Sequence, residues 1–163
     1  MIKTGDRVPS ISLKLVDAAG VSDADTAAIL GTGRVVLFGV PGAFTPTCDT
    51  SHLPGFVANA GKLKAAGVDR IVCLTPNDHH VVKAWAERSE ALGKVDFIAD
   101  PRAAFAAAMG LTRDFPDLGL RVIRFAMVIE AGVVRHLFVQ DVAGVTVSGA
   151  PAILLALQGE AVN

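Results

Sequence analysis

Directly after a continuous apolar run, Val35-Val-Leu-Phe-Gly-Val40, the chain reads Pro41-Gly-Ala-Phe-Thr-Pro-Thr-Cys48. Thr45-Pro46 is a helix start: Thr45 at the N-cap, Pro46 at the first helical position, Cys48 at the third. The first turn of a helix carries backbone N–H groups without partners and the positive end of the dipole, so it favours an anion. A cysteine there is drawn toward its thiolate, the nucleophilic form. The same position lies at the carboxyl end of a strand, where open α/β sheets bind ligands. The competing reading is a small apolar residue filling a gap between helix and sheet.

A helix dipole rarely suffices alone, which turns attention to cations. In Arg121-Val-Ile-Arg-Phe-Ala-Met-Val-Ile129 both faces are apolar apart from the first residue and Arg124. A buried arginine in mid-strand is costly unless it meets an anion. Arg124 is expected to share its face with Val122, Ala126 and Val128. Its partner is either a carboxylate, such as Asp49 or Asp100, or a thiolate, and the residues alone leave both open.

The remaining chemistry-bearing residues are fewer. Cys73 lies in the apolar run Ile71-Val-Cys-Leu74, and a buried structural cysteine is usually inert. His52 stands four residues beyond Cys48 on the same helical face, as a hydrogen-bonding residue near the pocket. A Cys-x-x-x-His pair with His79 and His80 is too sparse for a closed metal site, and none is expected. Gly31-x-Gly33 precedes a strand instead of following one, so it is not a dinucleotide motif. Trp85 reads as core or interface.

The elements that must hold these residues alternate. The runs 35–40 and 71–74 are unbroken rather than alternating, as strands covered by helices on both faces are. Between them 46–64 reads as helix, with Pro54 expected to bend or interrupt it and Gly67 to end it. Asn77-Asp78 caps a helix from about His79 to Leu92, followed by Gly93, and a short strand covers 96–99. Asp100-Pro101 opens a helix running to Met109-Gly110. Arg121–Glu130 and Val133–Gln140 are β-rich and joined by the hairpin signal Ala131-Gly132, and 149–157 reads as a closing helix. The expected fold is an α/β domain spanning 1–163, parallel strands first and an antiparallel hairpin afterwards.

Composition sets the outer limits. At 163 residues folding buries roughly 70% of the unfolded surface. With 52% hydrophobic and 19% charged residues the chain is neither a disordered tail nor a linker. Fifteen basic against sixteen acidic residues leave no basic stripe for nucleic acid, and no apolar run reaches the roughly 20 residues of a membrane span. Two cysteines and no secretory signal point to a reduced, cytoplasmic setting.

Pro41, Thr45 and Cys48 form a P-x-x-x-T-x-x-C pattern that resembles the peroxiredoxins. The longer Pro41–Cys48 segment with His52-Leu-Pro-Gly55 is similar to the type II, atypical two-cysteine (peroxiredoxin-five-like) subfamily. The likeness continues through Gly67-Val-Asp69, Asn77-Asp78, Ala84-Trp-Ala86, Ala99-Asp-Pro101 and Arg124-Phe-Ala-Met-Val128 to Gly132-Val-Val134. It implies a thioredoxin-like fold, a central mixed sheet flanked by helices on both faces, and thiol-dependent reduction of hydrogen peroxide and organic hydroperoxides without a cofactor. It further implies that Cys48 attacks the peroxide and becomes a sulfenic acid. Thr45 would hydrogen-bond thiolate and peroxide, Arg124 would stabilise the developing charge, and Pro41 would shield the sulfur. Gly42, Phe44, Thr47 and His52 would line the substrate pocket, with Phe115–Leu118 near its apolar entrance.

Vertebrate-type members of that subfamily resolve the sulfenic acid with a cysteine near the C-terminus, but Gly144-Val-Thr-Val-Ser148 has none. Twenty-four residues separate Cys48 from Cys73, as in plant and bacterial type II members. With Cys73 read as structural rather than resolving, the expectation is one-cysteine chemistry recycled by an external thiol (glutathione, glutaredoxin or thioredoxin) in a homodimer. Two other functions compete. One is a thiol–disulfide oxidoreductase, which wants Cys-x-x-Cys where this chain has Thr45-Pro-Thr-Cys48. The other is a redox sensor or partner-binding protein without efficient turnover.

Overall fold

The apolar runs dictate the centre of the molecule. In the computed structural model, which describes residues 1–140 and 144–162, β3 (Arg34–Gly39) and β4 (Arg70–Thr75) lie side by side in parallel, with Phe38 opposite Cys73. The segment between them returns as α2 (Leu53–Ala65), and α3 (His79–Arg88) carries the chain from β4 to the next parallel strand, β5 (Asp96–Ala99). On the other side of β3 runs β8 (Phe125–Glu130), antiparallel, joined to β9 (Val133–Val139) by a turn in which Ala131 and Gly132 both have positive φ. That is the hairpin geometry Ala131-Gly132 announces.

The outer edge was not legible in the pattern. β1 (Ser12–Asp17) and β2 (Gly20–Asp25) form a hairpin that extends the sheet to seven strands in the order β2-β1-β5-β4-β3-β8-β9. β2 is polar and mostly exposed, and β1 alternates Leu13 and Leu15 with polar neighbours, so neither carries the unbroken apolar run that betrays a central strand. A short α1 (Thr26–Leu30) follows, and a separate pair, β6 (Thr112–Phe115) and β7 (Gly119–Val122), precedes β8.

Both faces of the sheet are covered, which is why the strands read as unbroken apolar runs. On one face Val36, Phe38, Cys73, Ala126 and Val128 meet Leu53, Phe56 and Leu63 of α2, Trp85 of α3, and Ile153 and Leu157 of α5 (Ala150–Val162). On the other, Leu37, Val72, Leu74, Phe125 and Met127 meet Leu30 of α1 and Phe105 of α4 (Ala104–Ala108).

Four expected helices differ from the structure. The closing helix, expected over 149–157, runs on to Val162. α3 stops at Arg88, short of Leu92, where Glu90 takes a positive φ. Asp100 does cap a helix, but α4 begins at Ala104: its carboxylate spans a turn to accept the N–H groups of Ala104, Phe105 and Ala106. The helix expected over 46–64 changes pitch within itself. Pro46 and Thr47 are helical, Cys48–His52 form a π-helical turn, and α2 follows. Leu53 N–H donates to the carbonyl of Cys48, five residues back, and the next residue, Pro54, has no N–H for the carbonyl of Thr50. Pro54 thus stands where the pitch changes. No helix among the described residues is long and apolar enough to cross a membrane.

Candidate active site

The site forms where β3 runs out. Residues 41–45 loop from the end of the strand to the helix, and each turn of that loop is tied. Asn77 Oδ1 accepts the N–H of Ala43 at 2.9 Å and also meets the hydroxyl of Thr75 at the end of β4. Arg121 of β7 donates to the carbonyl of Pro41 at 3.2 Å. Thr45 N–H and hydroxyl both donate to the carbonyl of Gly42, at 3.3 and 2.7 Å. A Cβ at Gly42 would lie 2.8 Å from the Arg121 guanidinium, so a larger residue there would displace the arginine that holds the Pro41 carbonyl. Asp49 N–H then donates to Thr45 O at 2.8 Å, closing the first turn around Cys48. Phe44 pays for this tight path with a φ of 64°, while its half-exposed ring is steadied by Arg88 (guanidinium 5.6 Å from the ring centre) and Trp85.

Cys48 is buried in the first turn, and Arg124 reaches it from the far side of the chain: one guanidinium nitrogen donates to Cys48 Sγ at 3.1 Å. Its other terminal nitrogen donates to His52 Nδ1 at 2.8 Å. His52 Nε2 in turn lies 2.8 Å from the carbonyl of Ser148. An arginine cannot accept a hydrogen bond and a carbonyl cannot donate one, so the imidazole is neutral with its proton on Nε2. Burial between Phe38 and Phe56 pushes the His52 pKa down to about 3, and the neighbouring Arg124 charge pushes the same way against the Ser148 hydrogen bond.

Several expectations need correction at this level. Arg124 is not in mid-strand; it occupies the break between β7 and β8 and is only partly buried. Ala126 and Val128 lie on the face of the sheet that holds Cys48, whereas Val122 packs on the opposite face, because the break interrupts the strand's alternation. Neither carboxylate partners Arg124: Asp49 accepts the indole N–H of Trp85 at 2.9 Å, and Asp100 is engaged by backbone amides. Thr45 does not give its proton to Cys48, because that proton is on the Gly42 carbonyl. It is also not a side-chain cap: among the described residues no backbone N–H of the helix start donates to the Thr45 hydroxyl oxygen. His52, at 1% exposure, lines no substrate pocket; it stands behind Arg124.

Of the other expected residues, Pro41 and Gly42 are buried in the loop, Thr47 is half-buried beside Cys48, and Phe44 sits at the surface. Cys73 is fully buried on the same sheet face as Cys48, and burial, reinforced by Cys48, pushes its thiol well up. His79 and His80 lie against each other with tilted rings at the start of α3, and no cluster of metal ligands forms among the described residues. Three contributors escaped the sequence reading. Asn77 looked like part of a helix cap, Arg121 like the start of a strand, and Ser148 acts through its carbonyl, which no side-chain pattern reveals.

Residues 3–154 match the Redoxin family model. Among curated proteins the chain is 39% identical over 159 residues to Peroxiredoxin-2D of Arabidopsis thaliana, covering 96% of this chain and 98% of that one. It is 42% identical over 164 residues to the chloroplastic Peroxiredoxin-2E-2 of Oryza sativa subsp. japonica, covering 96% and 72%. Among solved structures, reduced Prx3 of Vibrio vulnificus in complex with hydrogen peroxide superposes with a TM-score of 0.90 at 41% identity, over 96% of this chain and 99% of that one.

Proposed function

Since the chain belongs to the redoxin family and is a thiol-dependent peroxidase of the type II peroxiredoxin kind on a thioredoxin-like fold, we propose that Cys48 alone carries its redox cycle and that an external thiol completes it. The single observation behind this reading is the Arg124 guanidinium 3.1 Å from Cys48 Sγ, with Cys73 buried and its thiol pushed up. The Cys48 thiolate attacks one peroxide oxygen, an S–O bond forms as O–O breaks, and the departing alkoxide or hydroxide takes up a proton. The sulfur leaves this step as a sulfenic acid, oxidised by two electrons. One external thiol then condenses with it, releasing water and forming a mixed disulfide, and a second displaces Cys48 as the thiol.

The residues around the sulfur have distinct roles in this scheme. Arg124 and the N–H groups of the first turn stabilise the negative charge that moves from sulfur to the departing oxygen. Thr45, its proton committed to Gly42, offers lone pairs to the O–H of the peroxide. Pro41, fixed through its carbonyl by Arg121, walls the sulfur from water, and Gly42, Phe44 and Thr47 frame the approach. Glutathione, glutaredoxin or thioredoxin is the reductant in this reading. A cytoplasmic, reducing setting suits two unpaired cysteines. A homodimer belongs to this reading, and the exposed Phe44 beside the site would supply apolar area to it.

Turnover of peroxide in large excess over protein, with each thiol donor in turn, tests the cycle. Cys48→Ser is expected to abolish consumption and Cys73→Ser to leave it within about twofold, as expected of a residue outside the reaction. Loss of turnover in Cys73→Ser, with Cys48 still oxidised once, would give Cys73 the resolving role instead.

A further inference from the structure

Arg124 could hold Cys48 by one nitrogen and still swing, since it sits at a strand break and has no carboxylate within salt-bridge reach among the described residues. What fixes it is a ring of hydrogen bonds. The guanidinium donates to His52 Nδ1 (2.8 Å), and His52 Nε2–H donates to the Ser148 carbonyl (2.8 Å). The Ser148 hydroxyl donates to Gln140 Oε1 (3.0 Å), which also accepts the N–H of Thr146 (3.0 Å). Gln140 N–H closes the circuit on the carbonyl of Arg124 itself (2.8 Å).

We propose that His52 is a positioning residue for peroxide reduction: its Nδ1 holds the Arg124 guanidinium against Cys48 Sγ, and Ser148 keeps that nitrogen an acceptor. This rests on the role given to Arg124 above. The chemistry of the group is what the task needs. A carboxylate at this place would hold the guanidinium equally well but would cancel much of its charge, whereas a neutral imidazole orients it and leaves the charge to act on sulfur. The ring is 1% exposed and packed 4.9 and 5.6 Å from the Phe38 and Phe56 rings, so hydrogen bonds and packing both hold its orientation. Ser148 selects the tautomer from the segment that leads into α5, and with Gln140 and Thr146 it supports the site without touching the sulfur.

The test is the single-turnover rate of Cys48 oxidation by hydrogen peroxide, measured by stopped flow in two backgrounds. His52→Leu is expected to slow it about 10- to 100-fold in the wild-type chain, the range for losing a hydrogen bond to a charged group. In the Arg124→Ala background it is expected to change the rate less than about threefold, because the two residues act as one unit. Two amides separate the ring nitrogens and serve if the Leu variant does not fold. His52→Asn places an acceptor near Nδ1 and is expected to keep most of the rate; His52→Gln places its polar end near Nε2 and is expected to behave as Leu does. Equal slowing by His52→Leu in both backgrounds, a wild-type rate in His52→Leu, or a faster His52→Gln than His52→Asn would overturn the positioning role. A wild-type rate in Arg124→Ala alone would overturn the role of Arg124 and this inference with it.

Discussion

Arg124 does two jobs with two nitrogens, one on sulfur and one on imidazole, and the geometry requires a planar fork. Arg124→Ala is expected to slow oxidation of Cys48 by roughly 10²–10³, the scale of removing one preorganised donor from developing charge. Arg124→Lys should fall between, because an ammonium keeps the charge but cannot hold both partners; the second-order rate with hydrogen peroxide decides it. Cys48 and Arg124 were legible in the sequence because one is a nucleophile at a helix start and the other a cation inside an apolar run. The Thr45 proton was not, since its destination, the Gly42 carbonyl, exists only once the loop has closed. Nor was the break at Ile123-Arg124, since a single arginine between apolar residues marks a cation in a strand as readily as the end of one.

Among the elements, the π-helical turn Cys48–His52 sets the directions of both Cys48 and His52, and its own restraint comes from α3. Trp85, the chain's one tryptophan, is fully buried and donates its indole N–H to Asp49 in that turn. Asp49→Ala would leave a buried donor without its partner, so a loss of about 1–3 kcal/mol is expected, against a smaller loss for Asp49→Asn. Urea unfolding followed by Trp85 emission measures it, and equal stability of the Ala variant would count against the tether. The helix in this region was visible from the spacing of Leu53, Phe56, Ala60 and Leu63, and Pro54 marked the place of its irregularity. The change of pitch was not visible, because it depends on the bond from Leu53 N–H to Cys48 O rather than on residue type. The β1–β2 hairpin shows the opposite failure: β2, a polar edge strand, carries little signal until β1 supplies its pairing.

For the molecule as a whole, the buried His52 couples the site to stability. Its folded pKa, about 3, lies below the 6.5 of a free histidine, so between those values the unfolded chain binds the extra proton. The contribution is complete above about pH 6.5 and is lost as pH falls toward 3, at roughly 1 kcal/mol per pH unit in that window. Asp100 acts in the other sense: burial raises its carboxyl against three amide hydrogen bonds, so its contribution is lost as pH rises through its folded value. Urea titrations at pH 7 and pH 4.5 should therefore show His52→Asn losing less stability between them than the wild type, with Asp100 common to both. A parallel loss in the two proteins would contradict the buried neutral ring. The alternation of strands and helices, and the two covered faces, were readable from unbroken apolar runs, since only a sheet buried on both sides tolerates them.

The most direct measurement is the intact mass of the reduced chain after one equivalent of hydrogen peroxide, without any added thiol, with the altered residue located by peptide mapping. A cycle carried by Cys48 alone predicts a gain of one oxygen atom on Cys48 and an unmodified Cys73. Loss of two hydrogens, with Cys48 and Cys73 joined in one chain, would contradict it.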